Sequence, residues 1–219
     1  MKKTLLILST VVLFFAGCKK DTVFEEGEVL YSGSIRGYKY IDLGLPSGLK
    51  WAVCNVGASS PEDYGDYYAW GETETKSTYT SDNCSTCNLQ MNDISGNSQY
   101  DVARKKWGST WRIPKKSELE EIEDECTWTW TTQGDRNGYK VTGPNGNSIF
   151  LPAVGYHNGY DYQKCGYYRT SDCEMYNHNL YEPKFHFKEN EFGVRIIVYP
   201  FNNERYWTDG YPVRAVMDK

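Results

Sequence analysis

The chain has 219 residues and a formal net charge of −5, and its longest basic run is only three residues, Arg104-Lys105-Lys106. The length predicts one domain of ordinary size, and the charge balance disfavours a nucleic-acid partner. Nineteen tyrosines and seven tryptophans favour a β-rich domain, because aromatic side chains suit both half-buried strands and binding surfaces.

The first seventeen residues have the pattern of a secretory signal peptide. Lys2 and Lys3 precede an apolar run over residues 5–15, which is too short for a permanent membrane span. Ala16-Gly17-Cys18 then resembles a bacterial lipoprotein cleavage site. This resemblance predicts a lipidated N-terminus at Cys18 and an outer-membrane lipoprotein that faces the periplasm or the cell surface. The alternative is an ordinary secretory signal with an incidental cysteine.

Polar and acidic residues follow the signal peptide, and they favour a flexible tether rather than a packed segment. The sequence therefore predicts a signal peptide over 1–17, a lipidated tether over 18–36 and one folded domain over 37–219.

The first elements of the domain are two predicted strands. Residues 40–44 and 49–54 alternate as strands, and Leu45-Pro46-Ser47-Gly48 between them has turn chemistry. Ser60-Pro61-Glu62-Asp63 has the signal of a helix start. Residues 72–97 are rich in Ser, Thr and Asn and predict a long loop.

Two helices and a hairpin are predicted next. Residues 101–107 form a short helix that ends at Gly108, and residues 117–125 carry Leu119 and Ile122 on one helical face. Residues 128–132 predict a strand. Asn145-Gly146 predicts a type I′ turn between strands at 139–142 and 148–151. Strands and loops follow to the end, so the fold class is α+β.

The cysteine count is even once Cys18 is assigned to lipid. Six cysteines are consistent with three disulfides in an oxidising compartment, although fifteen pairings are possible. Sequence proximity suggests Cys84 with Cys87 and Cys165 with Cys173, which leaves Cys54 with Cys126. Buried thiols are the alternative.

Several motifs together resemble the Fibrobacter succinogenes major paralogous domain family, over roughly residues 38–216. They are Tyr-Ile-Asp-Leu-Gly-Leu-Pro-Ser-Gly at 40–48, Trp-Ala-Val-Cys-Asn-Val-Gly-Ala at 51–58, Tyr-Gly-Asp-Tyr-Tyr-Ala-Trp-Gly-Glu at 64–72, Trp-Arg-Ile-Pro at 111–114 and Leu-Pro-Ala-Val-Gly-Tyr at 151–156. The resemblance implies a C-type-lectin-like fold with two short helices, twisted antiparallel sheets, neighbouring termini and a binding surface made of loops. The family is common in secreted proteins and lipoproteins of Bacteroidetes-type bacteria and has no settled activity.

Metal and catalytic sites are not predicted. Glu182-Pro183-Lys184 only distantly echoes a calcium-binding lectin loop, and Lys184 would oppose a cation. The fold is shared with formylglycine-generating enzymes, but Cys165 and Cys173 do not match the spacing of their reactive cysteines. Cys84-x-x-Cys87 has no second pair to complete a zinc site, so a local disulfide is preferred. The sequence therefore predicts no cofactor and no catalytic residue.

The last third of the chain predicts a binding surface for an extracellular glycan or protein. Tyr with Asn combines rigid contact area with adaptable hydrogen bonding, and aromatic faces stack on sugar rings. The candidate ligand-binding residues are Tyr156, Tyr160, Tyr162, Tyr176, Asn177, Asn179, Tyr181, Asn202, Tyr206 and Trp207. Two alternatives stay open: the tyrosines, above all Tyr167 and Tyr168, pack a second sheet, or the domain is an envelope or fimbria-associated subunit that docks to a protein.

Overall fold

A computed structural model describes residues 31–87, 91–155, 164–176, 179–181, 183–195 and 208–218. The predicted signal peptide and Cys18 lie outside these residues. The described strands are β1 Gly33–Ile35, β2 Tyr38–Asp42, β3 Lys50–Ala52, β4 Trp111–Arg112, β5 Thr127–Gln133, β6 Arg136–Thr142, β7 Ser148–Pro152, β8 Cys165–Arg169, β9 Glu174–Tyr176, β10 Asn179–Tyr181, β11 Lys184–Lys188, β12 Glu191–Arg195 and β13 Val216–Met217. The helices are α1 Val102–Trp107 and α2 Lys116–Glu125, with a 3-10 turn at Ser81–Asn83. The α+β class is confirmed.

A five-stranded sheet with the order β1-β2-β3-β13-β4 joins the two ends of the domain. The predicted turn between β2 and β3 is confirmed, with Gly48 N donating to Leu45 O at 2.8 Å. β1 pairs antiparallel with β2, and the compact unit begins at Tyr31. The predicted boundary between residues 36 and 37 is therefore several residues late: Gly33–Ile35 belongs to the sheet and not to the tether.

A second sheet has the order β5-β6-β7, and its β6–β7 hairpin was predicted with the wrong turn type. Gly146 N donates to Gly143 O at 2.9 Å, so Pro144 and Asn145 are the two central residues of the turn. Asn145 does not have the positive φ that a type I′ turn requires, whereas Gly146 has a φ of 86°. Pro144, with φ fixed by its ring, favours the second position of an ordinary turn.

Both predicted helices are present, but the helix signal near residue 60 gives only one turn. Asp101 caps α1, accepting a hydrogen bond from Arg104 N, and α1 ends at Gly108. Leu119 and Ile122 of α2 are buried. At the helix-start signal, Asp63 N donates to Ser60 O at 3.2 Å and closes a single turn. Gly65 follows with a φ of 72°, and this left-handed conformation stops a helix there.

Two apolar clusters form the interior. The first includes Trp51, Leu151, Tyr168, Phe185 and Phe187 and is covered by α2. The second includes Tyr68, Trp70, Val102, Trp107 and Trp111. Tyr68 and Trp70 are 1% and 0% exposed.

The third sheet, β12-β11-β8, positions the candidate site. It is antiparallel throughout. Between β8 and β11 in the sequence, β9 and β10 form a separate two-stranded antiparallel ribbon. No helix among the described residues combines the length and apolarity needed to cross a bilayer.

Candidate functional site

Most of the predicted ligand-binding residues lie outside the described residues: Tyr156, Tyr160, Tyr162, Asn177, Asn202, Tyr206 and Trp207. The other three lie on one ribbon, where Tyr176 is directly opposite Asn179 and Tyr181 is opposite Glu174. The register thus brings Tyr176, Asn179 and Tyr181 together within six residues of chain.

The described residues next to these segments meet at the β12-β11-β8 sheet. Gly155, before residues 156–163, donates its N–H to Cys165 O at 2.8 Å and bridges to Gly166 of β8. Arg195, before residues 196–207, ends β12, and Asp209 beyond them accepts a hydrogen bond from Arg169 of β8. The described residues on either side of the two longest Tyr/Asn-rich segments therefore belong to strands of this sheet or are hydrogen-bonded to it.

This sheet has two chemically different faces, because successive strand residues alternate in direction. The inner face consists of Gly166, Tyr168, Phe185 and Phe187, and these residues lie against the first apolar cluster. The outer face consists of Tyr167, Arg169, Lys184 and His186. Lys184 is directly opposite Arg169 on one side and Arg195 on the other. Three basic positions therefore form one cross-strand row.

Two of these cations are buried. Arg169 is 1% exposed and Lys184 is 3% exposed. Like charges directly opposite one another destabilise a sheet, and a buried charge needs partners. The side chain of Tyr211 supplies them: Lys184 Nζ donates to its hydroxyl at 2.6 Å, and that hydroxyl donates to Asp209 Oδ2 at 3.0 Å. The ring centroid lies 4.2 Å from Lys184 Nζ and 4.6 Å from Arg169 Cζ, which adds cation–π attraction.

Arg169 also ties the chain end to the body of the domain. Its Nη2 donates to Tyr68 O at 2.8 Å and to Asp209 O at 2.5 Å. Tyr68 and Tyr211 exchange two backbone hydrogen bonds of 3.0 Å each. Burial, followed by the hydrogen bond to Asp66, raises the pKa of Tyr68 far above its usual value. Tyr68 is therefore a neutral structural group at working pH.

Tyr167 and His186 form the half-buried part of the outer face. Their ring centroids are 4.6 Å apart, and Tyr167 lies 6.0 Å from Tyr211. In the next row the exposed Lys188 pairs with Glu191 at 2.6 Å. The outer face thus changes from buried cations, through half-buried rings, to a solvated ion pair. Such a surface can stack a flat apolar group and orient a polar one.

The disulfide predictions are partly right. Cys84 and Cys87 form a disulfide, as predicted. Cys54 and Cys126 remain thiols, so that predicted pair is wrong. Their charged neighbours differ completely: Arg214, Asp63, Glu62 and Lys39 surround Cys54, whereas Glu121 and Glu125 lie near Cys126. The two thiols therefore contact different parts of the first cluster.

The predicted bond between Cys165 and Cys173 is also wrong. Cys165 begins β8, and Cys173 lies beyond its other end, where its N–H donates to Asn92 O at 2.7 Å. Four residue steps of β8 alone span about 13 Å, which exceeds the Cα separation that a disulfide allows. Closeness in sequence was misleading because an extended strand separates the two residues.

Metal ligands do not converge in the described part of the chain: it contains no group of three or more His, Cys, Asp or Glu that could hold an ion. Lys184, which argued against calcium in the sequence, places its ammonium against Tyr211.

Sequence reasoning missed the roles of Arg169, Lys184 and Tyr211. A lysine that alternates with Phe185 and Phe187 in a strand was the available signal for an outer face. The partner of Lys184 was not visible, because Tyr211 lies 27 residues away in the chain.

Comparison with known proteins gives no relative: no family model, no curated protein and no solved structure matches this chain.

Proposed function

We propose that this protein is a non-catalytic binding module of a bacterial cell envelope, and that its Tyr/Asn-rich C-terminal segments bind an extracellular glycan or protein. The observation that carries the proposal is that the described residues next to two of those segments meet at one sheet. Residues 156–163 and 196–207 are flanked by β8, by β12 and by Asp209, which accepts a hydrogen bond from Arg169 of β8. The described residues next to two of the three candidate stretches therefore contact one another through β8.

The composition of these segments supports binding rather than turnover. Tyrosine supplies area with few rotatable bonds, and asparagine both donates and accepts hydrogen bonds. The half-buried rings of Tyr167 and His186, with centroids 4.6 Å apart, add aromatic surface on the outer face of the β12-β11-β8 sheet. A sugar ring offers apolar C–H groups and hydroxyls to such a surface.

The fold supports the same proposal. We propose a C-type-lectin-like domain of the Fibrobacter succinogenes major paralogous type. Its support is a sheet that contains both β1 and β13, two short helices and antiparallel strand pairing in the described part of the chain. Cys165 begins β8 and Cys173 lies beyond its other end, and this separation weighs against a formylglycine-generating activity.

A screen of residues 31–219 on a glycan array, with and without calcium, tests the proposal. Selective binding without calcium is the expected result. A blank array from folded protein, followed by capture of a stoichiometric protein partner through this surface, would favour the docking alternative. Binding that requires calcium would contradict the proposal of a site that works without a metal ion.

The segments themselves are tested by a combined variant, Tyr160→Ala, Tyr162→Ala, Tyr181→Ala and Tyr206→Ala. We expect it to lose at least about tenfold in affinity, since stacked aromatics are among the residues that dominate binding energy. Tyr31→Ala is the control, because Tyr31 is a 42% exposed aromatic outside these segments. Unchanged affinity in the combined variant would exclude the Tyr/Asn-rich segments as the ligand site.

The proposed anchor has a separate test. Replacement Cys18→Ser should abolish palmitate labelling and release the protein from the membrane fraction. Labelling that persists in this variant would contradict lipidation at Cys18.

A further inference from the structure

The disulfide between Cys84 and Cys87 closes a ring of only two intervening residues, and both of these are held independently of the sulfur atoms. Ser85 donates its N–H at 2.7 Å and its hydroxyl at 2.9 Å to Glu72 Oε1. Thr86 Oγ1 donates to Trp70 O at 2.5 Å. Glu72 and Thr86 are buried, so the accepting carboxylate of the first two bonds and the whole of the third are shielded from water, although Ser85 itself is exposed. The two sulfurs should therefore stay close together after the bond between them is broken.

A cation lies beside this loop. The ammonium of Lys76 pairs with Glu72 and donates to Asn83 O at 2.5 Å, one residue before Cys84. A nearby positive charge stabilises a thiolate, and a stabilised thiolate is a better leaving group in disulfide exchange.

The disulfide is also accessible. Cys84 and Cys87 are half-buried, whereas Asp82, Asn83 and Ser85 around them are exposed. A thiolate on another molecule can approach from this side.

The remaining thiols of known environment differ from this pair. Burial raises the pKa of Cys54, and burial together with Glu121 and Glu125 raises the pKa of Cys126 to about 11. Both stay protonated at neutral pH and are poor nucleophiles.

We propose that Cys84–Cys87 is an exchangeable disulfide that oxidises a pair of thiols on a peptide or protein. A substrate thiolate attacks one sulfur of the pair, forming a mixed disulfide and releasing the other cysteine as a thiolate. The second substrate thiolate then attacks the substrate sulfur of that mixed disulfide. The substrate leaves as a disulfide, and both cysteines of this chain become thiols with the two protons that the substrate loses. This activity is separate from the proposed ligand binding.

Equilibration of the whole protein with mixtures of reduced and oxidised glutathione tests the proposal. Acid quenching, alkylation and peptide mass spectrometry give the oxidised fraction of Cys84–Cys87, and near-ultraviolet circular dichroism reports the fold. We expect reversible reduction within the glutathione range, an unchanged spectrum, and oxidation of a model dithiol peptide. A disulfide that resists reduction there, or a fold lost on reduction, would overturn the proposal.

The contribution of Lys76 is tested with Lys76→Met, and Lys39→Met is the control because Lys39 lies over the ring of Tyr31 instead. The first variant should slow reduction by dithiothreitol by about threefold to tenfold, as expected for a less stabilised leaving thiolate. The control should react like the original chain. Cys87→Ser should in addition trap a mixed disulfide between Cys84 and an oxidised peptide. Equal rates of reduction in the two lysine variants, together with no trapped mixed disulfide, would exclude Cys84–Cys87 as an exchangeable disulfide.

Discussion

The two faces of the β12-β11-β8 sheet are buried by different means. On the inner face, Phe185 and Phe187 are fully buried and pack against other rings. The ring centroids of Phe187 and Tyr139, for example, are 5.4 Å apart. On the outer face, Arg169 and Lys184 are almost as buried, but they are held by directional hydrogen bonds and by the ring of Tyr211.

This difference separates stability from specificity. Apolar burial is favourable by itself and nearly independent of direction. A buried charge loses its hydration, and an apolar group of similar shape is often at least as stabilising. The inner face therefore accounts for stability, and the outer face is where a role beyond stability is expected.

The largest predicted effect is on the inner face. Phe187→Ala should lower the free energy of unfolding by about 3–5 kcal/mol, because it leaves a cavity in the first apolar cluster. Gly166 is directly opposite Phe187, and a Cβ there would lie 2.1 Å from Phe187 Cζ. The ring therefore covers a glycine, which has no side chain to refill the space. Urea denaturation measures the change. A loss below about 1 kcal/mol would contradict this account of the inner face.

Arg169→Met comes next. It removes the Arg169 donor to Asp209 O and one of the two donors to Tyr68 O, the other being Tyr211 N, which should cost about 1–3 kcal/mol. The backbone N–H of Tyr211 should also exchange faster with solvent, since Arg169 ties this segment to β8. Unchanged exchange at Tyr211 would show that the tie is unimportant.

The hydroxyl of Tyr211 gives a smaller effect with a clearer signature. Tyr211→Phe should cost about 0.5–1.5 kcal/mol, because Lys184 and Asp209 both lose a hydrogen-bond partner. A double-mutant cycle with Lys184→Met should give a coupling energy of at least about 0.5 kcal/mol. Additive effects would mean that the outer face is not a network.

The smallest effect is expected at the exposed carboxylate of an ion pair outside the β12-β11-β8 sheet. Asp218 pairs with Arg112 at 2.7 Å, and that hydrogen bond holds the pKa of Asp218 below its usual value. Asp218→Asn should cost about 0.2–1 kcal/mol at neutral pH. The ionised carboxylate of Asp218 adds to the free energy of unfolding at pH values above its unfolded-state pKa. This stabilisation disappears as the pH falls through the lower pKa of the folded state. A difference in the free energy of unfolding between the original protein and Asp218→Asn that persists in strong acid would contradict this role of the Asp218 carboxylate.

Local chemistry was predictable from the sequence. Gly108 marked the end of α1, Leu119 and Ile122 marked the buried side of α2, and the closeness of Cys84 and Cys87 in the sequence indicated their disulfide. The β6–β7 hairpin was also predictable, but Pro144 decided the turn type and not Asn145-Gly146. Local backbone preferences act over a few residues, so these features need no tertiary information.

Long-range features were not predictable in the same way. Cys54 was paired with Cys126 by elimination, and elimination carries no geometric information. β1 was placed in the tether because its three residues have little strand signal of their own; β2 provides the edge on which they pair. The basic row was invisible because register, and not composition, places Lys184 opposite Arg169.

The most direct test of the central claim is the dissociation constant of the selected ligand for three chains: the original domain, the combined tyrosine variant and Tyr31→Ala. The account predicts that the combined variant binds at least about tenfold more weakly, with an unchanged melting temperature, while Tyr31→Ala binds like the original. Equal affinity in all three would contradict binding through the C-terminal segments.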